Sequence, residues 1–201
     1  IDRMGTSPAV FDVDKLNYLN GYHIRQKDST ELAELCLPYL VQEGLVEKRG
    51  EELRVAATGG RVDFSYILEI VKLEQERMKT LSEISALTRF FFVAIPEYPA
   101  ELLLWKKLDY AQVKTNLELV AGLLSRIPDE NWTNDSINDA LISYIKAGEL
   151  KVGDHLWPLR VALTGEKASP GPFEVAEVLG RENSLDRIQA AIQKIEAFSL
   201  K

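Results

Sequence analysis

The sequence predicts an all-α protein made of two helical subdomains. Apolar residues recur at three- and four-residue spacing along most of the 201 residues, and the alternating runs that strands need are few. Prolines, glycines and polar caps divide this pattern into successive segments of helix length. The content of 46% hydrophobic and 27% charged residues is that of an ordinary globular chain, which is long enough here to bury a core.

The first subdomain begins with two predicted helices. The first is predicted over Asp12–Gln26, where Leu16 and Leu19 share one side. Asp28 and Glu31 resemble a capping box, because each side chain can accept from a backbone amide that has no partner inside the helix. The helix that they open is expected to run through Leu32, Leu35 and Leu40 and to end near Gly44, with a kink at Pro38.

Residues 45–61 are charged and rich in glycine, so we expect only turns there. The most regular helix of the chain is predicted over 62–78, and its periodicity places four residues on one face: Ile67, Ile70, Val71 and Glu74. A shorter helix should lead from Leu81 into the phenylalanines at 90–92. Pro96 and Pro99 then interrupt the pattern, and we expect the two subdomains, 1–100 and 101–201, to meet near residues 94–108.

The second subdomain starts with an amphipathic helix over 110–125, whose apolar positions are Val113, Leu117, Val120 and Leu124. Thr133 and its neighbours supply a cap for the next helix. Further helices are predicted over 135–147, 152–163, 173–179 and 184–198, and residues 164–171 form a loop by composition.

Composition also limits the location and the partners. The single cysteine, Cys36, lies between two leucines, which indicates a buried thiol in a reducing, cytoplasmic compartment. No apolar stretch approaches the length of a membrane span, and the start at Ile1–Met4 lacks signal-peptide features.

The net charge of −7 opposes a general affinity for nucleic acid, and we expect no DNA partner. Residues 146–167 are locally richer in cations, with four (Lys146, Lys151, Arg160, Lys167) against three acids (Glu149, Asp154, Glu166).

Signatures of catalysis are missing from the sequence. His23 and His155 are isolated from each other and from Cys36, so no zinc-ligand spacing exists. No Gly-Lys dipeptide occurs, which excludes a phosphate-binding P-loop, and no Gly-x-Ser-x-Gly motif is present. We therefore predict no catalytic residue, no metal site and no cofactor in this chain, and no enzymatic activity of the chain alone.

Three segments, taken in order, carry a resemblance to a known family. The first runs from Ser7 to Ile24, and the second is Glu76–Leu81, Glu-Arg-Met-Lys-Thr-Leu. The third is Pro158–Gly165, Pro-Leu-Arg-Val-Ala-Leu-Thr-Gly, followed by Ser-Pro-Gly-Pro-Phe-Glu at 169–174 and Leu-Gly-Arg at 179–181. In order and spacing, these segments closely resemble the C-terminal part of bacterial-type glutamyl-tRNA synthetases.

The resemblance implies both a fold and a role. The fold would be the two-part helical cage of the anticodon-binding domain of a class I aminoacyl-tRNA synthetase. The parent enzyme would be a monomeric glutamate–tRNA ligase that uses ATP and Mg²⁺ in a catalytic domain outside this chain. The partner would be glutamate tRNA, and glutamine tRNA stays open as a second partner.

The resemblance also implies residue roles. Arg160 matches an arginine that contacts an anticodon base, and Ser169 and Pro172 match loop residues that line the anticodon. Arg77 matches an arginine linked to recognition of the third anticodon base and to the separation of glutamate from glutamine tRNAs. Three lysines could serve phosphates by position and charge alone: Lys79, Lys151 and Lys167.

Structural alternatives remain open at this point. An arginine near a helix end, such as Arg160, commonly complements the helix dipole, and Arg77 could form a local ion pair with Glu74 or Glu76. The alternative for the whole chain is a helical scaffold for protein–protein contacts without RNA binding. Such a scaffold would expose an apolar groove and would not gather Arg160, Lys151 and Lys167 on one surface.

Overall fold

A computed structural model describes residues 12–199 of the protein. Within that range the chain folds into nine α-helices and one small antiparallel sheet, which confirms the predominantly helical prediction. The helices are α1 (Val13–Gln26), α2 (Ser29–Gln42), α3 (Phe64–Glu74), α4 (Glu83–Thr88), α5 (Tyr110–Leu124), α6 (Asn134–Ala147), α7 (Val152–Thr164), α8 (Pro172–Leu179) and α9 (Arg181–Ser199). The strands are β1 (Val46–Arg49), β2 (Glu52–Val55) and β3 (Arg61–Val62). The predicted start of the chain and residues 7–11 of the first family-like segment lie outside the described residues.

Aspartate caps begin the first two helices, and only the cap at Asp28 follows from the prediction. Asp12 accepts the amide of Lys15 at 3.0 Å, and Asp28 accepts the amides of Thr30 and Glu31 at 2.9 and 3.2 Å. These amide bonds hold the pKa of the Asp28 carboxyl below its ordinary value. The reciprocal half of the predicted capping box is replaced, because the Glu31 carboxylate binds Lys27 Nζ at 2.5 Å.

The apolar positions of α1 and α2 are only partly buried. Leu32, Cys36 and Leu40 have no exposed surface, and burial raises the pKa of the Cys36 thiol to about 12. Leu35 of the same helix is 38% exposed. In α1, Ile24 is buried, but most of the other large apolar side chains are exposed: Val13, Leu16, Tyr18, Leu19 and Tyr22.

The sheet at 46–62 is the main departure from the prediction, which expected only turns. Val46 pairs with Val55 and Leu53 with Val62, so the buried residues Val46, Leu53 and Val62 come from all three strands. Gly50 has a φ of 65°, which permits the tight turn between β1 and β2. Strands of four, four and two residues are too short for alternation to be recognised.

Helix α3 is shorter than the predicted 62–78, because Val62 belongs to β3 and the chain leaves the helix after Glu74. The amides of both Arg77 and Met78 bond to the Glu74 carbonyl, which turns the chain sharply at this end. The face predicted from periodicity is confirmed, since Ile67, Ile70, Val71 and Glu74 are all fully buried. After α4, a 3₁₀ turn at Arg89–Phe92 buries the three phenylalanines.

The helices of the second half match their predictions closely. All four apolar positions predicted for α5 are fully buried, and the helix begins with a capping box between Asp109 and Gln112. Thr133 caps α6 through the amide of Ser136, as predicted. Helix α9 begins at Arg181, three residues before the predicted start, directly after Gly180.

Arg187 of α9 connects the two halves of the chain. Its side chain is 2% exposed and donates to the carbonyls of Phe90, Val93 and Ala94 in the first half and to that of Leu163 in α7. Among the described residues its guanidinium forms no ion pair, and burial lowers its pKa to about 10. One hydrophobic cluster runs from Ile24 to Ile195, so both halves share a core, and the division at residue 100 stays a prediction.

Candidate nucleic-acid interface

The centre of the candidate site is the loop at 165–171, which joins α7 to α8. Gly165 ends α7 with a φ of 72°, and a Cβ there would lie 3.1 Å from the ring of Tyr98. At the other end, the amide of Gly171 donates to Glu174 Oε2 at 2.8 Å. Both ends of the loop are therefore fixed, and its middle residues are held in place between them.

Arg160 reaches this loop from the last turns of α7. Its Nη1 donates to the carbonyl oxygens of Ser169 and Pro170 at 2.6 and 3.2 Å, and to Ser169 Oγ at 3.1 Å. Its Nε and Nη2 donate to no other group within residues 12–199, so these atoms are available to a ligand. The side chain is half-buried, and desolvation lowers its pKa, assisted by repulsion from Arg77 and opposed by Glu174.

Arg77 reaches the same loop from the other half of the chain. Its Nη2 donates to the carbonyl of Ala168 at 3.2 Å, across 91 positions of sequence. Its Nη1 donates to both carboxylate oxygens of Glu74, at 3.0 and 2.7 Å. The local ion pair considered as an alternative role for Arg77 is thus present, and it exists together with the contact to the loop.

Glu74 is a buried carboxylate behind Arg77. Its side chain has no exposed surface, and desolvation raises its pKa to about 7 although Arg77 acts in the opposite direction. Sequence periodicity placed Glu74 on one face with buried apolar residues, but it did not predict that Glu74 is linked to the loop through Arg77. The sequence did offer one signal for this link, which is a charged residue at a core position three residues before Arg77.

The structure thus brings together three of the predicted site residues. We define the arginine site as Arg77, Arg160, Ala168, Ser169 and Pro170. Lys167 is exposed in the same loop, next to Ala168.

Three other predicted residues lie apart from the arginine site or inside the fold. Lys79 is exposed beside α1, in a cleft that it shares with Tyr18 and Arg25. Lys151 caps the opposite end of α7, nine residues and therefore about 13 Å of helix away from Arg160. Pro172 is the buried first residue of α8, where proline suits the helix start.

The clustering expected to distinguish RNA binding from a scaffold is therefore partial. Arg160 and Lys167 occur together, whereas Lys151 does not. In the described part of the chain, no set of three His, Cys, Asp or Glu side chains could hold a metal ion. No helix found between residues 12 and 199 combines the length and hydropathy needed to cross a bilayer.

Comparisons with known proteins decide the family. The sequence model of the family described as "Anticodon binding domain" matches residues 31–192, which is most of the chain. This chain belongs to the anticodon-binding domain family. The match covers the whole arginine site and favours RNA binding over the protein scaffold.

The curated relatives of this anticodon-binding domain are glutamate–tRNA ligases. The ligase of Clostridium tetani is 35% identical over 193 residues, which is 94% of this chain and 36% of the relative. The ligase of Herpetosiphon aurantiacus is 34% identical over 200 residues, covering all of this chain and 38% of the relative. The chain therefore spans little more than a third of the length of the relatives that it matches.

A solved structure agrees with the fold. The glutamate tRNA ligase of Elizabethkingia meningosepticum, crystallised with its amino acid, superposes with a TM-score of 0.72 at 20% identity. The superposition covers 91% of this chain and 32% of that protein. The helical architecture predicted from the sequence is thus that of a region within a known ligase.

Proposed function

We propose that this domain binds the anticodon of glutamate tRNA and positions that tRNA for glutamylation by a glutamate–tRNA ligase. The observation that carries the proposal is the convergence of Arg77 and Arg160, from the two halves of the chain, on one loop of a family whose members bind anticodons. The curated relatives described above are named glutamate–tRNA ligases, and they supply the amino-acid identity.

The chemistry of the arginine site suits an unpaired base. Sequence-specific RNA recognition targets single-stranded loops, whose bases offer acceptor atoms and flat faces. Arg160 keeps Nε and Nη2 for such acceptors, while its Nη1 is fixed by Ser169 and Pro170. We assign Arg160 and Ser169 to one anticodon base and Arg77 to the third base, where cytosine distinguishes glutamate from glutamine anticodons. Pro172 is buried, so we expect it to act by shaping the start of α8.

Phosphate contacts should be few in this chain. The net charge of −7 gives no general attraction for RNA, so affinity depends on local cations. Lys167 is the best placed of the predicted lysines, because it adjoins the arginine site. Lys79 and Lys151, at separate positions, would serve the flanking backbone. We expect modest affinity that falls as salt rises.

The ligation chemistry belongs, in this proposal, to the rest of such a ligase. ATP and Mg²⁺ would act there, and no step of that chemistry is assigned to residues of this chain. We further propose that the ligase is a monomer, does not bind DNA, and either charges glutamate tRNA alone or accepts glutamine tRNA as well.

The test is a fluorescence-anisotropy titration of the 201-residue chain with an RNA hairpin that carries the glutamate anticodon. Arg160→Ala should weaken binding by about tenfold or more, since one good arginine–base contact contributes roughly 1–3 kcal/mol. Arg49→Ala is the matched control, because it removes the same charge from an exposed side chain of β1. Equal affinity of the wild type and Arg160→Ala would contradict the proposed site, and so would equal losses in both variants.

A further inference from the structure

The most informative group outside the direct contacts is the buried carboxylate of Glu74. Buried acids usually lie at active sites or in structural pairs, and this chain shows no catalytic constellation. Glu74 is fully buried at the end of α3, and its only charged partner among the described residues is Arg77. We infer that Glu74 is a specificity-determining positioning residue, which fixes Arg77 so that this arginine discriminates bases instead of attracting phosphates. The inference rests on the proposed function.

Geometry supports the positioning role. Arg77 is held on two sides, by both oxygens of Glu74 at Nη1 and by the Ala168 carbonyl at Nη2. Much of the rotamer freedom of this side chain is therefore already lost before any ligand binds. Within residues 12–199 its Nε donates to no other group, so it is available to a base. A donor that cannot swivel rejects a base whose acceptor is misplaced.

Charge supports the same conclusion. Above pH 7, where Glu74 is ionised, the pair formed by Glu74 and Arg77 is neutral overall, whereas Arg160 forms no ion pair within residues 12–199. The arginine site therefore carries about one net positive charge, although two guanidinium groups face the same loop. Arg77 already repels Arg160 and lowers its pKa. Without the negative charge of Glu74, nothing in the pair would offset this repulsion. A doubly positive site would attract any RNA backbone and would lose selectivity.

The carboxylate also titrates in a useful range. Desolvation raises the pKa of Glu74 to about 7, so protonation at mildly acidic pH would release the charge of Arg77. Arg160 on α7 lies close enough to Arg77 for the two to repel each other, and Glu174 on α8 in turn attracts Arg160. Glu83 of α4 accepts the amides of Lys79 and Thr80. A transition in base discrimination near this pH that Glu74→Gln abolishes would therefore identify Glu74.

The experiment compares two RNA hairpins that differ only at the third anticodon position, with cytosine or guanine. For Glu74→Gln we expect tighter binding of the guanine hairpin and a loss of discrimination of about tenfold, because the amide keeps the shape but not the charge. Arg77→Ala should lose the same discrimination, and the double variant should lose no more than either single one. In the wild type, discrimination should fall as pH drops from 8 to 6, and Glu74→Gln should abolish this dependence.

A control variant and the order of measurements separate the possible failures. Glu74→Asp keeps the charge and should restore the pH dependence and part of the discrimination, and circular dichroism verifies the fold of each variant. If Glu74→Gln does not fold, the pH dependence in wild type and in Glu74→Asp still decides the matter. Failure of the wild type to bind either hairpin would refute the proposed function. Normal binding with Arg160→Ala weakened, but with discrimination unchanged in Glu74→Gln at every pH, would overturn the role of Glu74 alone.

Discussion

The end of α3 and the end of α7 each present an arginine to the same loop, but they hold it differently. Arg77 is paired with a fully buried carboxylate and makes one bond to the loop, at Ala168. Arg160 has no carboxylate partner in the described chain and is held by oxygens of the loop itself, at Ser169 and Pro170. The two arginines thus differ in the net charge of their surroundings. Loss of Arg77 would leave a buried carboxylate without a partner, whereas loss of Arg160 would leave only uncharged oxygens of the loop. On the proposed function, we expect the paired Arg77 to supply selectivity and the unpaired Arg160 to supply affinity.

The largest expected difference between the two regions is in stability. Arg77→Ala should lower the free energy of unfolding by about 2–4 kcal/mol at pH 8, because it leaves the Glu74 carboxylate buried without a partner. Arg160→Ala should lower it by less than about 1 kcal/mol, because its bonds go to carbonyls of a loop that water can reach. Urea unfolding of both variants measures the contrast.

This contrast should depend on pH. At pH 6 the destabilisation by Arg77→Ala should shrink, since Glu74 can then be protonated at little cost. Equal destabilisation by the two variants would show that the buried carboxylate does not distinguish the two regions.

A smaller effect concerns the wild type itself. The pKa of Glu74 is raised from its ordinary 4.5 to about 7 in the folded state, so the folded protein binds more protons between these values. Its contribution to stability is therefore fully present below pH 4.5 and is lost as pH rises through 7. The difference in unfolding free energy between the wild type and Glu74→Gln should change in that direction by on the order of 1–3 kcal/mol between pH 5 and 8. A difference that stays constant across this range would place Glu74 in contact with water.

The smallest effect separates the two ends of α7. Lys167 adjoins the arginine site, whereas Lys151 caps the opposite end of the helix. We expect Lys167→Ala to lower the slope of log affinity against log salt by up to about 1, and Lys151→Ala to change it less. Titrations at several salt concentrations measure both slopes. A larger change for Lys151→Ala would mean that the RNA extends along α7 toward its N-terminal end.

The sequence predicts some features of these regions and not others. Periodicity placed Glu74 on a buried face and α5 in the core, because such patterns repeat within one helix. It could not connect Arg77 to Ala168, since that contact depends on how distant elements pack. The resemblance joined Arg160 to Ser169 in one motif but did not show that Pro172 would be buried. The strands at 46–62 were missed because their pairing, and not their local pattern, defines them.

Arg187 has a consequence for how the domain can adapt to its ligand. Its four carbonyl acceptors lie on both sides of the predicted boundary at residue 100, and three of them lie in or directly after the 3₁₀ turn that follows α4. A planar guanidinium bonded in several directions resists rotation of one side against the other more than a single bond would. We therefore expect the two halves to respond to RNA as one rigid body, without a hinge. Accommodation of the anticodon would then fall to side-chain rearrangement in the loop that Arg77 and Arg160 share.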